Sequence, residues 1–319
     1  MPTSTSISPS VDFAQNFCCG SDSLSAAKRI CDHVRPVDQD PAAGNSDLGL
    51  IADFEDQQQC LESTARLFWV LNKLGSPSPF ERECAGLLRA VLAAQAQDGH
   101  FEMGFVKRDE KAPEDVRGAA WAMLAIGANG VSDGKTLTVL TKGQSYYQDW
   151  YTRKGLVSFQ PGIALLVRAF AQTYVTTNDA RVSDVCFQVL DRWAAFQLDR
   201  RSCPRPELWG AINAAQPGVV GVDTACYVAA LADGFDLARR IGDQTRAENY
   251  HNAIRKAVRF IVQLQFTHDG CFYARFPQDV LGAIRAAPWD HRIRIDYCSD
   301  ALIALIRAHD VLYKNQSKP

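Results

Sequence analysis

Acidic residues stand at the start of several apolar, helix-like runs in this chain of 319 residues. The clearest is Asp223, in the segment VGVDTACYVAAL, and Asp115 and Asp296 hold comparable positions before two other runs. A carboxyl group that faces an apolar cavity keeps its proton near neutral pH, because desolvation disfavours the charged form, and it can then act as a general acid. Aspartate is also a common helix N-cap, which is the alternative interpretation. We predict Asp223 as the catalytic acid, with Asp115 and Asp296 assisting or orienting.

Aromatic side chains supply a second set of candidate functional residues. Their rings can stack on pyranose sugars or surround a carbocation through cation–π contacts, and an Arg in the charged segment before a predicted helix can contact a ligand. The alternative for the aromatic residues is ordinary packing in the core or between hairpins. The predicted substrate-binding residues are Trp121, Trp150, Tyr151, Trp209, Tyr227 and Arg117.

The elements that must position these residues are helices. Apolar residues recur at spacings of three and four along the chain, and no segment of comparable length alternates with period two. Glycine follows several of these runs, for example at Gly127 and Gly242, where a helix C-cap favours a positive φ. The pattern predicts an all-α protein with helices over 21–33, 54–74, 79–97, 113–127, 136–150, 160–176, 180–198, 223–241, 244–266 and 295–314.

Two kinds of predicted helix alternate along the chain. One kind is rich in Ala and apolar residues, as over 113–127 and 223–241, whereas the other carries more charge and is amphipathic, as over 79–97 and 244–266. A ring of helical hairpins needs this alternation, with the apolar helices inside and the amphipathic ones outside. We therefore expect an α/α toroid of about five to six hairpins over 21–315, after a tail at 1–20. Parallel inner helices would gather the acidic helix starts at one rim.

Two predicted outer-helix ends carry a related motif. The better copy is KAVRFIVQLQFTHDGCF, with Gln265, Gly270 and Phe272, and a second copy, RAVLAAQAQDGHF, contains Gln95 and Phe101. These segments resemble the QW signature of terpenoid cyclases and prenyltransferase-like toroids. The physical role of such a motif is structural: Gln hydrogen-bonds backbone groups at a helix end, Gly permits a tight turn, and the aromatic residue packs on the next hairpin.

The segment around Asp223 resembles a degenerate form of the DxDDTA-like motif of class II terpene cyclases. In that family the motif supplies a carboxylic acid that protonates an alkene or an epoxide. Asp223, Thr224 and Ala225 match the end of the motif, whereas Val220 and Val222 occupy its first two acidic positions, the second of which is the usual proton donor. The resemblance therefore implies that Asp223 is the residue of this segment that donates the proton.

Charge and composition argue against several function classes. The formal net charge is −2 and no long Lys/Arg cluster is present, so we expect no nucleic-acid partner. No run approaches the roughly 18 apolar residues that span a bilayer, and the N-terminus does not read as a signal peptide, so we expect a cytoplasmic protein. The ten cysteines, most of them isolated, are expected to be reduced thiols.

No metal or cofactor is predicted. Asp296 and Cys298 superficially resemble the Asp-x-Cys zinc pair of protein prenyltransferase β subunits, but the next histidine, His309, lies too far along the same predicted helix to complete a tetrahedral site. Neither a complete phosphate-binding loop nor a nucleophile with an assigned base is present.

Together these features favour a terpenoid-cyclase-like enzyme that holds an apolar, isoprenoid-type small molecule in a central cavity and moves a proton from a carboxylic acid. One alternative is a carbohydrate-active toroid, a glycoside hydrolase, lyase or uronyl epimerase that uses rim carboxylates. Another is a noncatalytic helical scaffold. Carboxylates and Arg side chains around the cavity would favour a carbohydrate-active enzyme, whereas a dry aromatic pocket would favour an enzyme that acts on an isoprenoid. A filled centre without a pocket would favour the noncatalytic scaffold.

Overall fold

Ten α-helices and one two-stranded sheet make up the part of the chain that the computed structural model describes, which is residues 61–73, 81–102, 116–129, 134–154, 161–213, 220–272 and 274–314. The helices are α1 (Leu61–Lys73), α2 (Glu81–Ala93), α3 (Val116–Ala128), α4 (Gly134–Lys154), α5 (Pro161–Thr177), α6 (Ala180–Ala195), α7 (Thr224–Ile241), α8 (Gln244–Gln263), the short α9 (Pro277–Val280) and α10 (Ile295–Leu312). The strands are β1 (Arg285–Ala287) and β2 (Asp290–Ile293), and a 3-10 turn covers Pro206–Leu208.

The predicted all-α class is confirmed, and nine of the predicted helices are present with shifted ends. The helix expected at 21–33 and the tail at 1–20 lie outside the described residues. The sequence did not predict the hairpin of β1 and β2, because its strands are too short to show period-two alternation.

Burial separates the helices into the two predicted kinds. In α3 and α7 most residues are buried on all sides. In α8 the buried residues form one stripe at spacings of three and four, from Ala247 to Ile261. The inner layer is formed by α3, α5 and α7, which are mostly buried, together with α1 and α10, which are buried along one side, and the amphipathic helices α2, α4, α6 and α8 pack outside them.

The inner helices run parallel. Helix α3 packs between α1 and α5, and α7 packs between α5 and α10. Glu62 and Arg117 join the first turns of α1 and α3, whereas Asp233, in the second half of α7, binds Arg168 of α5 and Arg307 of α10. The starts of these helices therefore share one end, here called the N-terminal rim, and their later turns face the opposite end, the C-terminal rim. This arrangement is the expected α/α toroid.

A Gln side chain ties the end of one outer helix to the next outer helix. The Gln95 amide nitrogen donates to the carbonyls of Gly99 (3.1 Å) and Val139 (2.8 Å), and the latter lies on α4. Gly99 has a φ of 103°, and a Cβ there would come within 2.6 Å of the Lys142 carbonyl on the same helix. At this copy the Gln hydrogen bonds and the Gly conformation agree with the structural role described for the motif, because a Cβ at Gly99 would prevent the close approach to α4.

The same turn recurs at two further outer-helix ends. After α6, Gln197 donates to the carbonyls of Gly210 (3.0 Å) and Ala253 (2.8 Å), the second of which lies on α8. After α8, Gln265 donates to the carbonyl of Gly282 at 3.2 Å. In each copy the residue two positions after the positive-φ Gly forms an isolated bridge with the Gln; the three pairs are Gln95–Phe101, Gln197–Ile212 and Gln265–Ile284.

The predicted turn of the last copy is wrong in two respects. Gly282 rather than Gly270 takes the role of the positive-φ Gly, and Phe272 is 80% exposed instead of packing on the next hairpin. A long insertion, which contains α9, separates Gln265 from its turn, so spacing alone pointed to the wrong Gly.

Candidate functional site

Charged residues from the first turns of α1 and α3 meet at the N-terminal rim. The Glu62 carboxylate accepts a hydrogen bond from Arg117 Nε at 2.8 Å and one from Arg66 at 3.3 Å. The Arg66 guanidinium lies 5.1 Å from the centre of the Trp121 ring, which places a cation on the face of a buried indole. Both Arg side chains are about one-third exposed, so this cluster borders solvent.

Asp223 lies directly before α7 at the same rim and does not cap the helix. Its backbone is already helical, with φ −55° and ψ −24°, and its side chain makes no capping hydrogen bond. Asp179 and Asp243, by contrast, accept bonds from the backbone of Arg181 and Arg246 at the starts of α6 and α8. The capping explanation therefore holds for those two residues and fails for Asp223.

The carboxyl group of Asp223 has no hydrogen-bond or ion-pair partner among the described residues. Burial raises the pKa of Asp223, the nearby Asp300 raises it further, and Arg117 only partly opposes them. A half-buried carboxyl without a stabilising partner retains its proton above the usual Asp range. This is the property that the sequence analysis required of a general acid at this position.

Asp300 is a candidate site residue that the sequence analysis missed. It lies one turn after Asp296 in α10, and its Oδ2 is 3.4 Å from the Cys226 thiol, which donates to it. Burial raises the pKa of Asp300 although Arg117 and Arg66 act in the opposite direction. Since Asp300 is inside a helix rather than at its start, the search for acidic helix starts did not identify it.

Asp296 is held in a different state from its neighbours. Burial acts to raise the pKa of Asp296, but bonds from Arg294 at 2.9 and 2.8 Å outweigh it, so the pKa is lowered. The carboxyl groups of the rim therefore differ in the protonation state that they favour. Asp223 and Asp300 favour the protonated form, whereas Asp296 favours the carboxylate. The remaining predicted acid, Asp115, lies outside the described residues.

Cys226 is not suited to act as a nucleophile. Burial and the charge of Asp300 raise the pKa of its thiol. A thiol in that environment stays protonated and can donate a hydrogen bond, which fits its contact with Asp300. We therefore treat Cys226 as a positioning residue for Asp300.

Of the predicted substrate-binding residues, Arg117, Trp121 and Tyr227 lie near these acids. Trp121 is buried against Trp69, with ring centres 5.8 Å apart. Tyr227 is buried one turn after Asp223 and packs on Trp193 at 4.7 Å. The structure therefore places both aromatic residues in the core beneath the rim, where they hold the inner helices in position.

The other three predicted aromatic residues belong to the outer layer and its connections. Trp150 and Tyr151 are near the end of α4, and burial raises the pKa of Tyr151 to about 12. The Trp209 indole nitrogen donates to the Cys203 carbonyl at 2.8 Å, within the connection between α6 and α7. The structure does not bring these residues together with Asp223.

Within the described ranges, no group of three His, Cys, Asp or Glu side chains could hold a metal ion. The Asp-x-Cys pair has other partners there, because Asp296 binds Arg294 and the Cys298 sulfur accepts from the Ile284 amide at 3.4 Å. In the same part of the chain, none of the helices has the length and apolar character of a membrane span.

No protein-family model and no curated protein matches the chain. Among solved structures it is similar to a sugar epimerase from a ruminal bacterium, with a TM-score of 0.54 and 11% identity over 80% of this chain and 71% of the epimerase. It also aligns with a polysaccharide lyase at a TM-score of 0.42 and 14% identity, covering 91% of this chain and about half (52%) of the lyase. The epimerase supports the toroid fold and does not single out the terpenoid cyclases.

Proposed function

We propose that the chain is a carbohydrate-active enzyme that performs acid/base chemistry on a sugar at the N-terminal rim. The observation that carries the proposal is the unpartnered Asp223 carboxyl group, whose pKa is raised by burial and by Asp300. Asp223 donates a proton to a sugar oxygen, and Asp296, which favours the carboxylate form, is available to accept a proton or orient water.

The polar lining of the rim favours a sugar over an isoprenoid. Carbocation chemistry needs a dry, apolar site that excludes water and bases. Around Asp223 the rim instead contains Glu62, Arg117, Asp296 and Asp300, all with partly exposed side chains. Such groups match the hydroxyl groups of a saccharide, and they would quench a carbocation. Hydrolysis, elimination and epimerisation all need this acid/base pair, so the proposal covers the three reaction types.

The Arg residues of the rim provide binding and charge balance in this proposal. Arg117 is fixed by Glu62 and opposes the rise in pKa of both Asp223 and Asp300. Its positive charge keeps the acid from becoming too weak to release its proton, since a useful general acid has a pKa near the working pH.

Product analysis by mass spectrometry tests the proposal. The purified protein is incubated with neutral oligosaccharides, uronic oligosaccharides and prenyl diphosphates, and wild type is compared with Asp223→Asn and with the capping-residue control Asp179→Asn. We expect saccharide turnover that Asp223→Asn lowers by roughly 10²- to 10⁴-fold without a large change in thermal unfolding. Asp179→Asn should retain turnover per folded molecule. Products from prenyl diphosphates, or full saccharide turnover by Asp223→Asn, would contradict the proposal.

A further inference from the structure

We infer that Trp289 forms an outer sugar-binding subsite, so that the substrate is an oligosaccharide or a longer glycan and not a free monosaccharide. This inference rests on the proposed function and adds the size of the substrate to it. Trp289 lies at the turn of the hairpin formed by β1 and β2, which the sequence analysis did not foresee.

The indole of Trp289 is available for stacking. Its side chain is 52% exposed, and within the described residues no ring or cation packs on it. The five other tryptophans of the described residues are buried or half-buried against the core. An exposed indole offers a flat apolar face, which is the complement of the C–H face of a pyranose ring.

The hairpin is fixed to both helices that carry the rim acids. The Val222 amide, next to Asp223, donates to the Ala286 carbonyl at 2.8 Å. At Gly221 an added Cβ would approach the same carbonyl within 2.2 Å, so only Gly allows the hairpin to sit this close. On the other side, Arg294 follows β2 and binds Asp296 with two hydrogen bonds. Trp289 is therefore held on a short, anchored arm beside the proposed acid.

The surroundings of Trp289 suit a saccharide. Along β2, Asp290 and Arg292 form an exposed ion pair, and His291 lies between them. An indole beside several hydrogen-bonding groups can bind the apolar face and the hydroxyl groups of one sugar unit. Ile293 and Ile295 add exposed apolar surface to this edge, which makes a second copy of the chain the competing occupant.

Binding to oligosaccharides of increasing length tests the inference. The probes are cello-oligosaccharides and oligogalacturonides from monosaccharide to hexasaccharide, measured by calorimetry on the full chain carrying Asp223→Asn, so that turnover does not interfere. Trp289→Ala and Trp289→Tyr are added to this background. Tyr313→Ala is the matched control, because Tyr313 is similarly exposed (58%) but follows α10 at the C-terminal rim.

We expect Trp289→Ala to weaken oligosaccharide binding by about tenfold and Trp289→Tyr to restore most of it, with monosaccharide binding unchanged. In the active enzyme the same change should raise KM for oligosaccharides and leave kcat near wild type. Equal binding by the Ala variant and its parent, or an equal loss for all lengths, would overturn the inference while leaving the proposed function intact. Binding of none of the probes would overturn both. A change of sedimentation from dimer to monomer in Trp289→Ala would assign the surface to self-association and also overturn the inference.

Discussion

Both rims of the toroid contain Asp and Arg side chains, but the two rims differ in whether the key Asp is paired with an Arg. At the C-terminal rim, Asp233 accepts hydrogen bonds from both Arg168 and Arg307, and Arg307 also binds Asp236. At the N-terminal rim, the side chain of Asp223 has no such partner in the described part of the chain. Paired carboxylates hold helices together, whereas an unpaired carboxyl group is free to exchange a proton with a ligand.

Neither a raised pKa nor a cavity is enough to distinguish the rims. Burial raises the pKa of Asp236 too, although Arg307 binds that residue. An open cavity of about 570 Å³ adjoins the C-terminal rim and is lined by Asp233, Asp236 and Arg307. Among the described residues of the two rims, Asp223 at the N-terminal rim combines a raised pKa with the lack of an Arg partner, so we place the proposed chemistry there.

The largest expected effect is on stability and concerns the C-terminal rim. Asp233→Asn leaves the mostly buried Arg168 and Arg307 without their shared carboxylate, and we expect the free energy of unfolding to fall by about 3–5 kcal/mol. Urea denaturation measures it, with Asp290→Asn as the control, because that residue pairs with Arg292 on the exposed hairpin and should remain near wild type. If the Asp233→Asn variant were stable but inactive, the C-terminal rim would be the site of the chemistry and not a structural contact.

The next largest effect concerns Asp300. Asp300→Asn removes a carboxylate that raises the pKa of Asp223, and we expect kcat/KM for the saccharide substrate to fall by roughly 10²-fold. The basic limb of the pH–rate profile should move to lower pH, because the acid then loses its proton more readily. Ser299→Ala, on the same turn of α10, is the control. An unchanged profile in Asp300→Asn would show that the two carboxyl groups are not coupled.

A smaller effect is expected at the Gln turns that support the rim. Gln197→Ala leaves the carbonyls of Gly210 and Ala253 without their donor, so we expect a loss of about 1–3 kcal/mol in the free energy of unfolding. Gln263→Ala, at an exposed position on α8, should change stability little. Equal stability of both variants would mean that the turn does not fasten α6 to α8.

The smallest effect is a change of stability with pH. Because the pKa of Asp223 is raised in the folded state, wild type binds an extra proton and loses stability as the pH rises from the ordinary Asp pKa of 3.8 through the folded value. Asp223→Asn lacks this loss, so its stability relative to wild type should increase with pH over that range. Asp243→Asn should show the opposite trend at lower pH, between the lowered folded pKa of that helix cap and 3.8, because wild type gains stability there as the pH rises. The same sign for both variants would contradict the assigned environments.

The sequence predicted the helices well, because a helix that packs in the inner or the outer layer needs apolar residues at spacings of three and four, and this pattern is visible in the sequence. It also singled out Asp223 as a candidate acid, since an acid before an Ala-rich run stands out in the chain. It could not distinguish a cap from an unpaired acid, because that depends on the backbone angles at Asp223 and on Asp300, 77 positions later in the chain.

The rest of the site depends on contacts that have no local pattern. Asp300 is inside an amphipathic run, where a carboxylate normally faces solvent. Gln and Gly are 4 positions apart in the first Gln turn but 13 and 17 positions apart in the other two, so spacing does not identify Gln197 and Gly210 as a pair. The hairpin that carries Trp289 is defined by its pairing and by its contact with Val222, both of which exist only in the folded chain.

The ionisation state of the Asp223 carboxyl group decides whether the N-terminal rim contains a general acid. Carbon-13 NMR titration of protein labelled at the aspartate carboxyl carbons identifies the Asp223 resonance as the one missing from Asp223→Asn. We expect this carboxyl group to titrate above the ordinary value of 3.8, and Asp300→Asn to move the titration to lower pH. Titration of Asp223 at or below 3.8 would mean that this residue is an ordinary surface carboxylate, and the proposed general acid would be lost.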